Sequence, residues 1–530
     1  MRTVHATRTT ETGTTETGAT EVLVVGAGPV GLALALGLAR AGIGCRIVER
    51  EPRFRDRGVR GKGVNPRTLE VFDDLGVVAA ILDRGAHDLK VRTYEGDRLV
   101  REVDPAPANP PTPDRPYRGM LLLGQHHTEE VLRERLAAYG VAVETDTELV
   151  GCTQEPDGVL ATVRVGDRTE RLSARYLVGC DGGRSTVRKL TGIPFLGETW
   201  DEQRFLMASM DVDGLDTRSM HVWNDPRLGV GALTMVPMRA DANWAVHAAV
   251  DPDGPGGIPA PTLATFRTLF AERAGLPGVT LHEPVWSTVW RPTVRMVERY
   301  RDGRVLLAGD AAHCQSAAGG QGMNTGIQDA HNLSWKLAAV LRGAPDALLD
   351  SYQAERLPVA RAVLAATTAQ HKALFGADGA RALADQFLDP AAAGDDFTGL
   401  SVTYRGGPLG RDLDDTTGIR AGDRAPDAPC TTTDGTPTRL FDLFRGAHFT
   451  LLTIGEHPSL DEPSGQASLP ASVGLRRAAV LDPAGHVARA YGLRGDAVVL
   501  VRPDGHVALT GATAHPGTFA ELLGSYAPAA

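Results

Sequence analysis

The chain has 530 residues, 42% hydrophobic and 23% charged, with a formal net charge of −10. That length exceeds what one core fills and calls for two or three domains; the acidic balance argues against nucleic acid or anionic membrane as main partners, and no apolar run approaches the roughly twenty residues of a membrane span. The five cysteines, Cys45, Cys152, Cys180, Cys314 and Cys430, form no CxxC pair; they indicate neither a zinc site nor a disulfide framework and fit a reducing cytoplasm.

Residues 1–20 are rich in Thr, Glu and Gly, contain TETG twice and lack the apolar core of a signal peptide. They read as a disordered tail. Order is expected from Glu21. Val22–Val25 is a continuous apolar strand that runs into Gly26-Ala27-Gly28-Pro29-Val30-Gly31, and Leu32, Leu34, Ala35, Leu38 and Ala39 continue as a buried helix. Cys45–Val48 makes a second strand closed by Glu49 and Arg50. Strand, glycine turn, helix, strand and an acid about twenty residues beyond the glycines form the dinucleotide fingerprint in its required context. The pyrophosphate is expected on the helix N-terminus and Glu49 on the adenosine ribose. An acid there disfavours NADP and leaves FAD or NAD.

Arg67 and Glu70 on the following helix read as a structural ion pair or cap. Lys90 to Arg118 alternates weakly and then turns Pro-rich, as an excursion into another sheet and a surface loop would. Thr128-Glu129-Glu130 reads as a helix start with a capping hydroxyl and acids in the first turn; Arg133 on this helix either approaches phosphate or is a solvated charge. Strand-like stretches lead to Tyr176-Leu177-Val178-Gly179-Cys180-Asp181-Gly182-Gly183-Arg184. Asp181, at a strand end before two glycines and a helix, suits a ribose or phosphate contact, while Arg184 and Arg188 either touch the ligand or brace the fold. From Phe195 to Trp290 the period shifts to alternating strands.

Val305–Ala308 is a short apolar strand stopped by Gly309-Asp310. Glycines follow at 319, 320, 322 and 326, and Ile327, Ala330, Leu333, Leu337 and Val340 recur at helical spacing. A glycine loop thus ends at a helix N-terminus, whose free N–H groups and dipole face whatever binds there.

Gly309-Asp310-Ala311-Ala312-His313, Gly319-Gly320-Gln321-Gly322-Met323-Asn324-Thr325-Gly326 and Gln328-Asp329-Ala330 resemble the second flavin motif of the single-component FAD-dependent aromatic monooxygenases, the para-hydroxybenzoate hydroxylase type. The Asp181 stretch resembles their third fingerprint. The resemblance implies an α/β fold with a Rossmann-like FAD-binding domain, an antiparallel β-sheet substrate domain and a C-terminal thioredoxin-like domain. The corresponding ranges are 21–89, 119–193 and 291–389 for the first, 90–118 and 194–290 for the second, and 421–530 for the third after a 390–420 linker. It also implies that Arg60 and Gln125 contact FAD, that Asp310 holds the ribityl chain, and that Gly320 to Asn324 face the pyrimidine edge of the isoalloxazine. Arg295 falls near the route of NADH or NADPH. Trp223, Met235, Pro237, Trp244 and His247 become candidates for an apolar substrate wall, with plain sheet core the alternative for each.

The activity implied is hydroxylation of an aromatic ring, phenolic or polycyclic polyketide, by NAD(P)H and O2 through a flavin C4a-hydroperoxide, without a metal. Baeyer–Villiger or epoxidising chemistry and a flavin-binding reductase stay open. Where the family commonly has proline before the glycine loop, this chain has Gln315-Ser316-Ala317-Ala318, which bears on substrate orientation. In the C-terminal module the lone Cys430 cannot run dithiol exchange, which leaves packing or a homodimer contact as its role.

Overall fold

The structure is a computed structural model that describes residues 8–9, 15–54, 58, 61–87, 89–106, 110–225, 228–254, 256–316, 318–374, 398–415, 417–455 and 474–511. The expected tail up to residue 7, helical residues beyond 374 and the chain end past 511 lie outside these. Strand β1 (Thr15–Val25) begins ahead of Glu21, because its first residues pair with a neighbouring strand instead of fraying. Helix α1 (Pro29–Arg40) and strand β2 (Cys45–Val48) follow. Helix α2 (Pro66–Asp74) is capped by Asn65, whose side chain accepts from Thr68 N–H. Strand β3 (Lys90–Glu95) is the excursion, and α3 (Gln125–Ala137) starts one turn before the expected Thr128, at Gly124.

Strand β4 (Arg168–Gly179) pairs in parallel with β1, and β1 in turn with β2. Short α4 (Thr186–Leu190) leads to the alternating segment: β5 (Arg204–Met210), β6 (Ser219–Asp225), β7 (Gly229–Met238), β8 (Asn243–Val250) and α5 (Leu263–Arg273). The chain then returns to the parallel sheet as β9 (Val305–Leu307), beside β4, before α6 (Gly322–Leu341) and α7 (Asp350–Leu374). The parallel strands are covered on both faces, which is why they read as unbroken apolar runs. Gly37 of α1 lets α6 approach, since a Cβ there would stand 2.6 Å from Ser334 Oγ.

The second, seven-stranded sheet runs Trp286–Trp290, β5, β8, β7, β6, β3, Arg98–Val103. β3 joins it in parallel beside β6. A third, mixed sheet holds β10 (His448–Ile454), β11 (Gly474–Leu481), β12 (Ala497–Val501) and β13 (Val507–Gly511). One of its faces joins the main core through Phe449, Leu451, Val498 and Leu500; the other packs on itself through Leu452, Ile454, Val499 and Val501.

Charge crosses this junction. Arg67 meets Glu70 at 2.9 Å as expected, but Glu70 also takes Arg424 from beyond the linker, at 2.8 Å. Arg502 binds Glu355 at 2.6 Å. The expected linker is partly core: Tyr404 is buried and its hydroxyl accepts from Arg356 Nη1 at 3.1 Å.

Candidate active site

Three glycine positions shape the end at which the sequence expects a nucleotide. Gly26 has φ +101°, and a Cβ there would sit 2.5 Å from Cys180 O; one at Gly31 would sit 2.0 Å from Gly26 O. Gly28, by contrast, opens into free space and caps α1 without any side-chain bond, so first-turn N–H groups are left facing outward. They face a cavity of about 220 Å³ whose wall includes Gly26, Gly28, Glu49, Arg50, Gln125 and Asp181. Glu49 is fixed there by accepting Ala27 N–H at 2.9 Å and Glu51 N–H at 3.1 Å. Asp181 is already engaged: it accepts Ser185 Oγ–H at 2.5 Å and the N–H groups of Thr186 and Val187. Burial raises its carboxyl pKa even so. Arg188 braces the fold through the carbonyls of Ala311 and Gly183, whereas Arg184 lines the cavity. Arg133 lies over Phe54 at 4.1 Å, and Phe54 belongs to the same wall.

Val30 ties this end to the glycine loop. A Cβ at Gly309 or Gly326 would meet Val30 Cγ2 at 2.8 or 2.6 Å, so the valine wedges between two glycines of the second motif. Asp310 stands exposed on the turn after β9. The loop bends at Gly319 and Gly320, φ +75° and +63°, and α6 starts at Gly322 with no side-chain cap on Gln321. Gln321 and Asn324 use their amides to grip the loop before α2: Gln321 Oε1 accepts from Asn65 Nδ2 at 3.2 Å, Asn324 Oδ1 accepts Asn65 N–H at 2.9 Å, and Asn324 Nδ2 donates to Gly63 O at 2.9 Å. Gly61 is pinned between Gln125 and Met323, 3.3 and 3.7 Å from where its Cβ would be.

Beneath the loop, Asp329 accepts Gly309 N–H at 3.1 Å, His313 Nε2–H at 2.7 Å and Arg356 Nε–H at 2.7 Å, all fully buried. Against the cost of burial, Asp329 holds the His313 imidazole above its ordinary pKa. The sequence motif contained Gly309, His313 and Asp329 without showing that they meet, and Arg356 comes to them from α7. Arg295, half-buried on Thr293–Val297, donates to Phe195 O at 3.2 Å and lies in register with Cys314, one turn from Asp310.

The substrate-wall candidates divide by face. Trp223, Met235 and Trp244 point toward α5, where Trp223 stacks on Tyr94 at 4.9 Å and meets Phe270 edge-on at 5.7 Å. Pro237 pairs with Trp244 and so shares that face. These four belong to the sheet core and turn away from the glycine loop, because side chains alternate along a strand. His247 alone points the other way. Its row is Met207, His247, Thr234, and its Nε2 lies 2.7 Å from Lys62 Nζ. Val236, Met238 and Ala245 cluster with Leu122. Lys62 drew no reading from sequence; its only signal was rarity, as one of five lysines in the chain. His126 and His127 Nε2 reach Asp241 Oδ1 at 2.9 and 2.7 Å, joining the start of α3 to the turn before β8. Arg60 and Ala317 lie outside the described residues.

Residues 19–367 match the family described as FAD binding domain, and residues 419–527 match aromatic-ring hydroxylase, C-terminal. The chain belongs to the FAD-binding monooxygenases. A flavin-dependent monooxygenase of Mycobacteroides abscessus is 41% identical over 495 residues, 92% of this chain and 96% of that protein. The 12-dehydrotetracycline 5-monooxygenase/anhydrotetracycline 6-monooxygenase of Streptomyces rimosus subsp. rimosus is 34% identical, over 93% of this monooxygenase and 95% of the relative. The crystal structure of aklavinone-11 hydroxylase with FAD and aklavinone superposes with TM-score 0.79 at 30% identity, covering 95% of this chain and 98% of that one. This monooxygenase is therefore an enzyme that uses FAD, with NAD(P)H as reductant. Among the described residues no helix is long and apolar enough to cross a membrane.

Proposed function

We propose that this monooxygenase hydroxylates a phenolic substrate of several fused rings, held between the glycine loop and the antiparallel sheet. The observation that carries the reading is the convergence of three separate stretches on loop 61–65: Asn324 grips it from α6, Gln125 N–H donates to Gly61 O from α3, and His247 meets Lys62 from the sheet. Relatives named for tetracycline and aklavinone substrates, aligned over nearly the whole chain, support a polycyclic polyketide as the substrate class.

The residues fit FAD. The open space at Gly28 and the cavity beside Glu49 suit an adenosine diphosphate, since a helix N-terminus without a side-chain cap favours phosphate. Gly26, Gly28, Pro29, Val30 and Gly31 form that cradle, with Glu49 and Arg50 toward the ribose and Asp181 on the wall. Asp310 takes the ribityl chain. Gly320, Gln321, Gly322, Met323 and Asn324 present the start of α6 to the ring edge that becomes anionic on reduction. Bound FAD supplies hydride acceptance from NAD(P)H and the activation of O2. The protein positions the ring, excludes water and places the substrate beside it. Arg295, near Asp310, suits the approach of the anionic nucleotide.

We assign three domains in the order the sequence gives them, with the first starting at Thr15 and part of the 390–420 stretch packed into the core, the N-terminal fold being Rossmann-like. The last is thioredoxin-like: β10 and β11 run parallel, β12 antiparallel beside β10, and β13 follows antiparallel. Buried Cys430, its thiol pushed up to about 11 by burial, has no partner for dithiol chemistry.

The test is O2 uptake by the FAD-loaded enzyme with NADPH or NADH and a panel of hydroxylated polycyclic aromatics. Uptake with a product one oxygen heavier and an intact ring system is expected. A ring-expanded lactone marks Baeyer–Villiger insertion, and bound FAD without substrate-dependent uptake defeats the oxygenase reading.

A further inference from the structure

Lys62 is a half-buried base with no acid beside it among the described residues. The carbonyl of Lys62 itself takes Leu123 N–H, and its neighbours are fixed by Gln125 N–H on Gly61 O and Asn324 Nδ2 on Gly63 O, each at 2.9 Å. With the backbone held on both sides, the side chain reaches across to the sheet, where Nζ stands 2.7 Å from His247 Nε2. Burial alone brings the amine down to about 7. Burial and then the Lys62 charge hold the His247 imidazole well below its ordinary range. Among the described residues, the titratable groups at the start of α3 beside the pair are committed elsewhere: His126 and His127 to Asp241, Glu129 to Gln125 Nε2 at 2.7 Å.

A lysine buried for structure looks different in the same molecule. Lys336 is fully buried, yet its Nζ meets Glu355 at 2.7 Å and Asn332 Oδ1 at 2.8 Å. A buried amine lacking such a counter-charge costs stability, and a group held in that state next to a binding site is suited to proton transfer.

We propose that Lys62, backed by His247, is the base that takes the hydroxyl proton of the phenolic substrate and then pairs with the phenolate. The assignment rests on the monooxygenase reading above for the identity of the substrate. In the step the substrate O–H bond breaks and a new N–H bond forms on the Nζ lone pair; the bonding electrons stay on oxygen. The ammonium so formed donates one N–H to the substrate oxyanion and another to His247 Nε2, and no oxidation state changes. In free solution a phenol near 10 would not yield its proton to an amine near 7. Here the phenolate becomes the counter-charge that the amine lacks, which shifts both groups toward the ionised pair. A ring bearing O⁻ is also the more electron-rich target for oxygen insertion.

The experiment uses the FAD-loaded full chain with ¹³C at lysine Cε. Lys62, Lys90, Lys189, Lys336 and Lys372 are its only lysines, so the Lys62 resonance is identified by its loss in Lys62→Met. The probe is alizarin, a dihydroxyanthraquinone whose colour reports hydroxyl ionisation. The Lys62 midpoint is expected near 7, rising by at least about one unit when alizarin binds, a tenfold change in protonation equilibrium. Wild-type enzyme is expected to bind alizarin ionised at a pH where the free dye is neutral, Lys62→Met to lower the ionised fraction about tenfold or more, and His247→Gln to fall between. Retained flavin absorbance certifies that each variant is folded; should Lys62→Met lose it, Lys62→Arg is read instead, and there the dye's ionisation should lose its midpoint near 7. A Lys62 midpoint in the ordinary lysine range, or equal ionisation of the dye by wild type and Lys62→Met, overturns the proposal. Ionised dye without O2 uptake on any phenol defeats the oxygenase reading and leaves Lys62 as the base; uptake with a neutral bound phenol defeats the Lys62 assignment alone.

Discussion

Two histidines, one fully buried beneath the glycine loop and one half-buried across from it on the antiparallel sheet, are driven in opposite directions. His313 is shut in with Asp329, and Asp329 also takes Arg356, so the imidazole is held above its ordinary pKa despite burial. Among the described residues His247 faces Lys62 and no acid, and it is held well below. Loss of solvent lowers both; the sign of the neighbour decides the net direction. The first cluster is a closed set of paired charges that fixes the turn at Gly309, and the second is left poised to gain or lose a proton.

The largest effect should come from breaking the closed set. Asp329→Asn leaves Arg356 buried without its carboxylate, and we expect a loss of about 3–5 kcal/mol in urea unfolding, together with loss of FAD from the purified protein. Full flavin content and unchanged stability in that variant would remove the distinction drawn between the two regions. Next, the back of the sheet should be separable from its front. Trp223→Phe strands Gly96 O, which accepts Trp223 Nε1–H at 3.1 Å; it should cost about 1–3 kcal/mol while leaving the affinity for a bound hydroxyaromatic unchanged. A large shift in that affinity would place Trp223 at the substrate after all.

Smaller still is Lys62→Met. At a fixed pH near 7, replacing a half-buried amine that has no carboxylate partner among the described residues by an apolar chain of similar length should change stability by less than about 1 kcal/mol, in either direction, although it changes proton handling at the site. The finest discrimination is in the pH slope. His313, raised in the folded state above its unfolded value of about 6.5, contributes stability that is complete below that value and is lost as pH rises through the folded pKa. Lys62 is lowered to about 7 from an unfolded value near 10.4. Between those values the unfolded chain binds the extra proton, so this group makes stability rise with pH. The difference between wild type and Lys62→Met, followed by urea unfolding from pH 6.5 to 10, should therefore grow in favour of wild type as pH rises; a flat difference would mean that Lys62 titrates normally.

The glycine turns were readable because their demands are local. Gly26, Gly31, Gly309 and Gly326 are glycines because a backbone angle or a neighbouring atom leaves no room for Cβ, and such requirements print themselves in spacing. Glu49 followed from the strand that ends before it. The sheet was readable as alternating strands but not by face. Trp223, Met235, Pro237 and Trp244 were candidates because an aromatic substrate wants apolar walls, whereas they fill the core against α5, the alternative reading, and His247 stands on the side turned toward loop 61–65.

Taken by itself, the order of residues determined where the chain must turn tightly, where helix N-termini open, and which strands are covered on both sides, since each of these depends on neighbours a few positions away. Which charge meets which was decided only by tertiary structure. Lys62 and His247 are 185 residues apart, and Arg502 and Glu355 147. Strand register selects the face a side chain occupies, and the low dielectric of the interior lets the partner so brought in set its protonation.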